Sequence, residues 1–461
     1  MPHLLPDIPI TTLDEYLATE TGGLGLKRAT ELGPDATIEE VLRSGLRGRG
    51  GGGFATGHKW AGVRDQAGTH RYVVANAAEG EPGTFKDRAL LRANPYQFVE
   101  GLIIAAYAVG AVETFVGLKA SFEAEAEALE RAVVEMQDAG ICSDCQITMA
   151  RGPEEYLFGE ETGLLEVIEG NDPLPRVLRP HEHGLFATAP QLGWESTEQE
   201  PGHTGIHRSN PTVVNNVETL SNVPHILVRG AEWFRGLGTD ESPGTQVCTV
   251  VGDVRRAGVG EYEMGTPLRE VINGIGGGPR EGRSIKAVFS GVANAVVTSD
   301  RLDTPLTYEG LAAIGSGLGS AGFIVHDDTA CMVRIAREYS RFLYVESCAQ
   351  CPACKRGTGE ITRLLDVVER GEATSVSIDE IGGWLDKVTD GNRCYLPVEE
   401  RILVASMLRD FPDEFAAHLS GHCPRPRPVE VPKLTDLAGG RAVYDTQQAR
   451  KLPDWTYQAA P

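Results

Sequence analysis

Glu346-Ser-Cys-Ala-Gln-Cys-Pro-Ala-Cys-Lys-Arg-Gly357 sets Cys348, Cys351 and Cys354 in a C-x2-C-x2-C run, and Cys394 follows in Asn392-Arg-Cys-Tyr-Leu-Pro397. Such a run lets one short loop present three thiolates to three corners of a cluster, and a distant fourth cysteine closes the cube. The spacing predicts a 4Fe-4S site. The alternatives are a structural zinc or ordinary buried thiols, and zinc usually takes two separated pairs rather than a triple. Residues 332–344, 359–371, 378–388 and 397–409 read as helices on both sides of the triple, so residues 332–423 are expected to form a helical bundle around the cluster.

Moving outward, residues 241–331 carry short strands broken by glycines: Gln246 to Val251, Glu261 to Met264 after a turn at Gly258, and Ile285 to Val292, ending near Val325. With a helix at 266–273 they read as a small β-rich module. Residues 1–240 alternate strand and helix. The β-branched run Arg71–Ala75 leads into a polar loop at Asn76, a helix enters through Pro95 and runs over 96–109, and Thr114–Leu118 is a second strand. Ser121 is the expected cap of an acidic helix over 122–138, and a strand at 145–150 precedes a helix near Gly159. This is an α/β pattern. Residues 424–461, starting with a Pro-Arg repeat, read as an extended tail.

The chain has 461 residues, which calls for two or three domains. Asp and Glu (65) outnumber Lys and Arg (43) for a net charge of -22, so nucleic acid is not an expected partner: a polyanion would be repelled. The start lacks a signal-peptide pattern, and the longest apolar stretch, Leu102–Val112, is too short for direct membrane insertion. A cytoplasmic protein is expected, or one held at a membrane through a complex. Nine cysteines in a chain this long do not make a disulfide scaffold.

Three loops carry polar chemistry. Arg47-Gly-Arg-Gly-Gly-Gly-Gly-Phe54 contains G-x-G-x-x-G at Gly48, Gly50 and Gly53, but a helix-like segment, Ile38–Leu46, precedes it where an ordinary dinucleotide fold has a strand. Its glycines permit backbone N–H groups to approach a phosphate or flat ring, and Lys59 adds a cation. Asn76–Arg88 follows a strand and mixes an amide, carboxylates and glycines, as a heterocycle edge or ribose would require; the alternative is a surface turn, which the density of special residues disfavours. Gly159-Glu160-Glu161-Thr162 sets two carboxylates at a helix start, as good N-terminal residues or as ribose acceptors that repel a 2'-phosphate.

Together with Ser44–Phe54, Pro211–Thr219, Leu311–Gly322 and the cysteine set, these stretches resemble the NADH-binding flavoprotein subunit of respiratory complex I and its relatives in soluble NAD-linked hydrogenases and formate dehydrogenases. The six motifs keep the family's order over roughly residues 40 to 400. The resemblance implies a modified Rossmann-like α/β domain for FMN and NADH, a β-grasp, soluble-ligand-binding-like module, and a helical bundle with one 4Fe-4S cluster. It implies hydride transfer from NADH to FMN and single electrons from there to the cluster, with no acid or base needed for the hydride step. It further implies that Gly48, Gly50, Gly51, Gly53, Lys59, Asn76, Glu81, Gly159, Asn215 and Asn216 neighbour FMN or NADH. Phe54 would stack on adenine, Glu160 and Glu161 would form the acidic pair, and Cys348, Cys351, Cys354 and Cys394 would ligate the cluster. The implied partners are a small two-iron thioredoxin-like subunit and a larger iron-sulfur subunit. Alternatives are the diaphorase subunit of an NAD-dependent formate dehydrogenase or hydrogenase, and an iron-sulfur scaffold with a decayed flavin site.

The departures are specific. Ala78 stands where the family usually has Asp, and Gly62 replaces an aromatic that helps sandwich the adenine. Pro173–Pro180 differs from the usual Pro-Arg-x-Lys-Pro-Pro, with Arg179 the nearest substitute for its lysine, and residues 181–208 form an insertion. Cys142 and Cys145 form a lone C-x-x-C without a second pair. His181, His183, His203 and His207 read as a solvated loop, and Cys248 and Cys331 as core residues. His422 and Cys423 follow the bundle and are placed near the cluster.

Overall fold

Four parallel strands, β1 (Tyr72–Ala77), β2 (Glu113–Lys119), β3 (Gln146–Gly152) and β4 (Thr212–Asn216), make one sheet in the order β3-β2-β1-β4. The structure is a computed structural model and describes residues 3–66, 70–142, 145–188, 208–421, 423, 425 and 427–459. From β1 the chain steps outward to β2 and β3, then returns to lay β4 on the other side of β1. In an open α/β sheet, such a reversal opens a crevice at the carboxyl ends of the two diverging strands. Asn76 and Asn216 are direct partners across β1 and β4 at that end.

The helix Pro95–Val109 is buried on nearly every side, which explains the apolar stretch at 102–112: it is a core helix. A Cβ on its Gly101 would lie 2.0 Å from the Leu220 carbonyl oxygen, so glycine lets it pack against the helix Val217–Arg229. Ser121 does not cap the acidic helix, which is Glu123–Asp138 with Phe122 at the cap position and no side-chain cap bond. Among the described residues, no helix is long and apolar enough to cross a membrane.

Contacts divide the chain into two units: residues 1–79, 86–154 and 158–246 in the first, and 80–85, 155–157 and 247–461 in the second. The second contains a mixed sheet of β5 (Thr245–Gly252), β6 (Gly258–Glu263), β7 (Ile285–Ser290), β8 (Val297–Thr298) and β9 (Gly322–Asp327), in the order β6-β5-β9-β7-β8. The helix Leu268–Gly276 buries Leu268, Val271, Ile272 and Ile275, a single face at helical spacing, each worth about 1.5–3 kcal/mol when fully buried. Five helices follow: Met332–Glu346, Pro352–Glu369, Ser375–Leu385, Leu396–Asp410 and Pro412–Leu419.

Two expectations need correction here. The helix after the cysteine triple begins at Pro352 rather than 359, because Pro suits the first helical position and Cys351 sits at the cap. The tail is not simply extended: β10 (Leu434–Ala438) and β11 (Arg441–Tyr444) form an antiparallel hairpin across Gly439 and Gly440, both at positive φ.

Candidate functional site

The glycine loop leaves the helix Pro34–Ser44 and closes on itself. The Gly48 N–H donates to the Phe54 carbonyl at 2.8 Å, and the Arg47 guanidinium donates to the Gly53 carbonyl at 2.8 Å. Gly51 (φ 115°) and Gly53 (φ 61°) occupy backbone conformations that side chains disfavour. A Cβ on Gly50 would come within 3.0 Å of Asn216 Cβ, so the loop backbone lies directly against the end of β4. Buried Arg49 anchors the loop: its N–H donates to Thr219 Oγ1 and its guanidinium to the Pro243 carbonyl.

The amides at the strand ends are held from several directions. Asn76 donates to the Gly159 carbonyl at 2.7 Å, Asn215 accepts from the Trp60 indole at 2.7 Å, and Asn216 caps the helix Val217–Arg229 through the Glu218 N–H. Asn216 also donates to Asp87 and accepts from Lys86. Lys86 is fully buried between Asp87 at 2.7 Å and Glu218 at 2.9 Å. Burial opposes its charge, but the carboxylates of Asp87, Glu218 and Glu79 outweigh it and hold its pKa above the ordinary lysine value. Lys86, Asp87 and Glu218 had no assigned role in the sequence, although the first two lie within the Asn76–Arg88 loop.

The acidic pair divides its work. Glu160 caps the helix Glu161–Ile168, accepting from the Thr162 and Gly163 N–H groups at 2.8 Å each, while burial raises its pKa. Glu161 pairs with Lys59 at 2.7 Å, both partly exposed, and Arg179 approaches it at 3.7 Å. Arg176 is instead buried against Glu166 and Glu169. Phe54 presents an exposed ring, 63% accessible. Ala78 is fully buried, and a side chain at Gly62 would meet open space.

Glu81 belongs to the second unit and is not grouped with the residues above. Its carboxylate accepts from Tyr156 Oη at 2.5 Å and from the Val292 N–H at 2.6 Å, and Tyr156 also contacts Glu399 at 3.2 Å. Burial pushes the Glu81 carboxyl up to about 7 and that of Glu399 well above the usual range.

Cys348 and Cys394 are half-buried, and Cys351 and Cys354 are buried. Ala349 takes a positive φ of 65° in the cysteine loop, and Gln350 bridges it to the Cys394 segment by accepting from Arg393 at 3.1 Å. Lys355 donates to the carbonyls of Tyr344, Ser347 and Pro453, fixing the loop from below. Burial pushes the Cys354 thiol up to about 12, with the nearby sulfurs of Cys351 and Cys348 adding to the effect. Buried thiols that oppose one another's ionisation fit a cationic iron core, which offsets both penalties. The glycine loop, with exposed Gly52, Lys59 and the strand-end amides, likewise fits a phosphate and a heterocycle edge.

Cys142 and Cys145 are buried, join no third metal-ligating residue among the described ones, and have thiols raised by burial. His203, His207 and His422 lie outside the described residues.

Comparison with known proteins decides the family. A family model described as the Nuo51 FMN-binding domain matches residues 41–225, one for the NADH-ubiquinone oxidoreductase-F iron-sulfur binding region matches 334–418, and one for the SLBB domain matches 247–288. An NADH-quinone oxidoreductase F-subunit of Rhizobium meliloti (strain 1021) is 36% identical over 436 residues, covering 92% of this chain and 99% of that protein. The chain belongs to the NADH-quinone oxidoreductase F-subunit family. As a member it is an oxidoreductase subunit that works with NADH, FMN and a 4Fe-4S cluster. The NADP-reducing hydrogenase subunit HndC of Solidesulfovibrio fructosivorans is 33% identical over 90% of this chain and 82% of its own. Among solved structures, an NAD+-reducing [NiFe]-hydrogenase in the H2-reduced state superposes with a TM-score of 0.77 at 31% identity, covering 90% of this chain and 68% of that one.

Proposed function

We propose that FMN sits at the crevice where β1 and β4 diverge, and that Cys348, Cys351, Cys354 and Cys394 hold the cluster. The observation that carries the flavin reading is the pairing of Asn76 with Asn216 at the carboxyl end of the sheet, with the Gly50 backbone pressed against Asn216. When bound, FMN converts a two-electron hydride from NADH into single electrons for the cluster. The N–H groups of Gly50, Gly51 and Gly53 supply donors for its phosphate, with Lys59 as the nearby cation, while Gly48 neighbours the flavin as the residue whose N–H closes the loop on Phe54. Asn76, Asn215 and Asn216 offer amides to the ring edge, beside the Gly159 backbone. Phe54 offers its ring to adenine and Glu161 a carboxylate to a ribose, while Glu160 keeps the helix start in place. For Glu81, proximity to the flavin rests on the family resemblance alone.

The module around β5–β9 is read as a β-grasp unit, supported by its mixed sheet and single buried helix face. The five helices after Cys331 are read as the bundle that carries the cluster. The partners are proposed to be a small two-iron thioredoxin-like subunit and a larger iron-sulfur subunit, in a cytoplasmic complex or one docked at a membrane, as the likeness to subunits of multisubunit enzymes supports. The likeness to an NAD+-reducing hydrogenase favours, as a second reading, a diaphorase role working in the NAD-reducing direction.

Isolation of the native complex tests this. FMN released by acid, together with co-purifying iron-sulfur subunits, is the expected outcome, with membrane-arm proteins or a nickel subunit choosing between the two readings. A chain that carries its iron but no flavin would contradict the flavin site and leave the iron-sulfur scaffold.

A further inference from the structure

We propose that Cys331, His418 and Cys423 form a second metal site, separate from the four cluster cysteines, that binds a single zinc ion. Their ligand atoms all lie within 4.8 Å of one another. Cys331 Sγ and His418 Nε2 are 3.5 Å apart. Tetrahedral zinc with Zn–S of about 2.3 Å and Zn–N of about 2.0 Å separates a sulfur and a nitrogen ligand by about 3.5 Å. The Cys331–His418 pair is therefore already spaced for one ion, with Cys423 within reach of both.

The histidine is also held in a suitable orientation. His418 Nδ1 lies 2.7 Å from the Glu414 carbonyl oxygen. A carbonyl only accepts, so Nδ1 carries a hydrogen, which leaves Nε2, the nitrogen on the Cys331 side, as the one that would ligate an ion. A backbone carbonyl fixing the far ring nitrogen is the usual support for a metal-bound histidine. The Arg425 N–H donates to Cys423 Sγ at 3.3 Å and holds the sulfur in place. Cys331 and His418 are buried and Cys423 is half-buried, which leaves a path for the ion and a fourth position for water or another ligand.

The donor set selects the ion. Two thiolates and an imidazole suit zinc, whereas calcium and magnesium take oxygen ligands. Two thiolates balance its charge, so the site is neutral without a further counterion. Cys331 directly precedes the helix Met332–Glu346, His418 lies in the last turn of the helix Pro412–Leu419, and Cys423 opens the tail. An ion here closes a loop around all five helices and the four cluster cysteines, and so stabilises the element that carries the cluster. The inference does not depend on the flavin site.

Metal analysis of the untagged native complex, from cells grown with added zinc, tests it alongside the variants Cys423→Ser, His418→Gln and Cys142→Ser. The expected result is stoichiometric zinc in the native protein and the Cys142 variant. Cys423→Ser should lose that zinc and keep its iron and visible iron-sulfur absorbance. If His418→Gln fails to fold, the zinc absorption edge of the native protein still decides: a sulfur- and nitrogen-ligated zinc that disappears in Cys423→Ser supports the site. Only trace zinc in the native protein, zinc unchanged in Cys423→Ser, or iron lost in place of zinc would each overturn it. In those cases Cys331 and His418 share no more than a thiol–imidazole hydrogen bond.

Discussion

Glu160 and Glu161 are neighbours with different duties, and the difference can be measured. Glu161 is partly exposed beside Lys59 and is the carboxylate proposed above to meet a ribose. Glu161→Gln should narrow the preference for NADH over NADPH roughly tenfold, about 1.4 kcal/mol. Flavin reduction rates with each nucleotide report it, and an unchanged preference would exclude Glu161 as the selector. Glu160→Ala should instead lower stability by about 1 kcal/mol through the lost cap, read by thermal unfolding. At the same scale, Glu81 and Glu399 share Tyr156 in a buried site. Both carboxyls are raised by burial, Glu81 to about 7 from an ordinary 4.5. Their contribution to stability is full below the unfolded value and is lost as pH rises through the folded one, because the unfolded chain ionises first. Stability should therefore fall between pH 4.5 and 7. Glu399→Gln should flatten that fall, and urea unfolding across the range would show an equally steep fall if the pair were not its source.

Among the elements, the tail does more than its composition suggests. Lys451, near its end, is fully buried against Glu346 at 2.9 Å, and Glu346 closes the helix that leads into the cysteine loop. Burial raises the Glu346 carboxyl, but Lys451, Lys433 and the Tyr156 N–H more than offset it and hold it below the ordinary range. Lys451→Met strands that carboxylate and should cost about 3–5 kcal/mol, whereas Lys451→Met with Glu346→Gln should recover most of the loss. Equal losses in the single and double variants by chemical unfolding would contradict the pairing. The sequence shows why this region was hard to read. Its opening prolines point to extended chain, while the hairpin signal, Gly439-Gly440, lies farther on, and nothing local marks Lys451 as buried. Three strands of the first sheet, β1 to β3, were readable because apolar runs there alternate with clear helices, whereas β4 was read only as part of the motif Pro211–Thr219 and not as a strand. The start at Pro352 was hidden because the cysteine spacing describes ligands and says little about backbone. Cys331, His418 and Cys423 meet only through packing of the five helices, and their spacing matches no local motif.

In the whole molecule, the proposed two-electron site lies at the crevice of the first sheet and the proposed one-electron site in the helical segment of the second unit. The glycine loop and the cysteine run were legible as chemistry, whereas the pairing of Asn76 with Asn216 emerged only from the strand register. Their assembly into a single electron path was legible only through the family resemblance, because no spacing in the sequence links residues 48–54 to residues 348–354. The most direct test is an anaerobic NADH titration, followed by visible absorption, of the native protein and of Cys351→Ser. The account predicts that NADH bleaches the flavin in both, that the broad iron-sulfur absorbance is lost in the variant, and that electron delivery to the partner is lost with it. A variant that kept a full four-iron signal, or a native flavin that NADH failed to bleach, would contradict it.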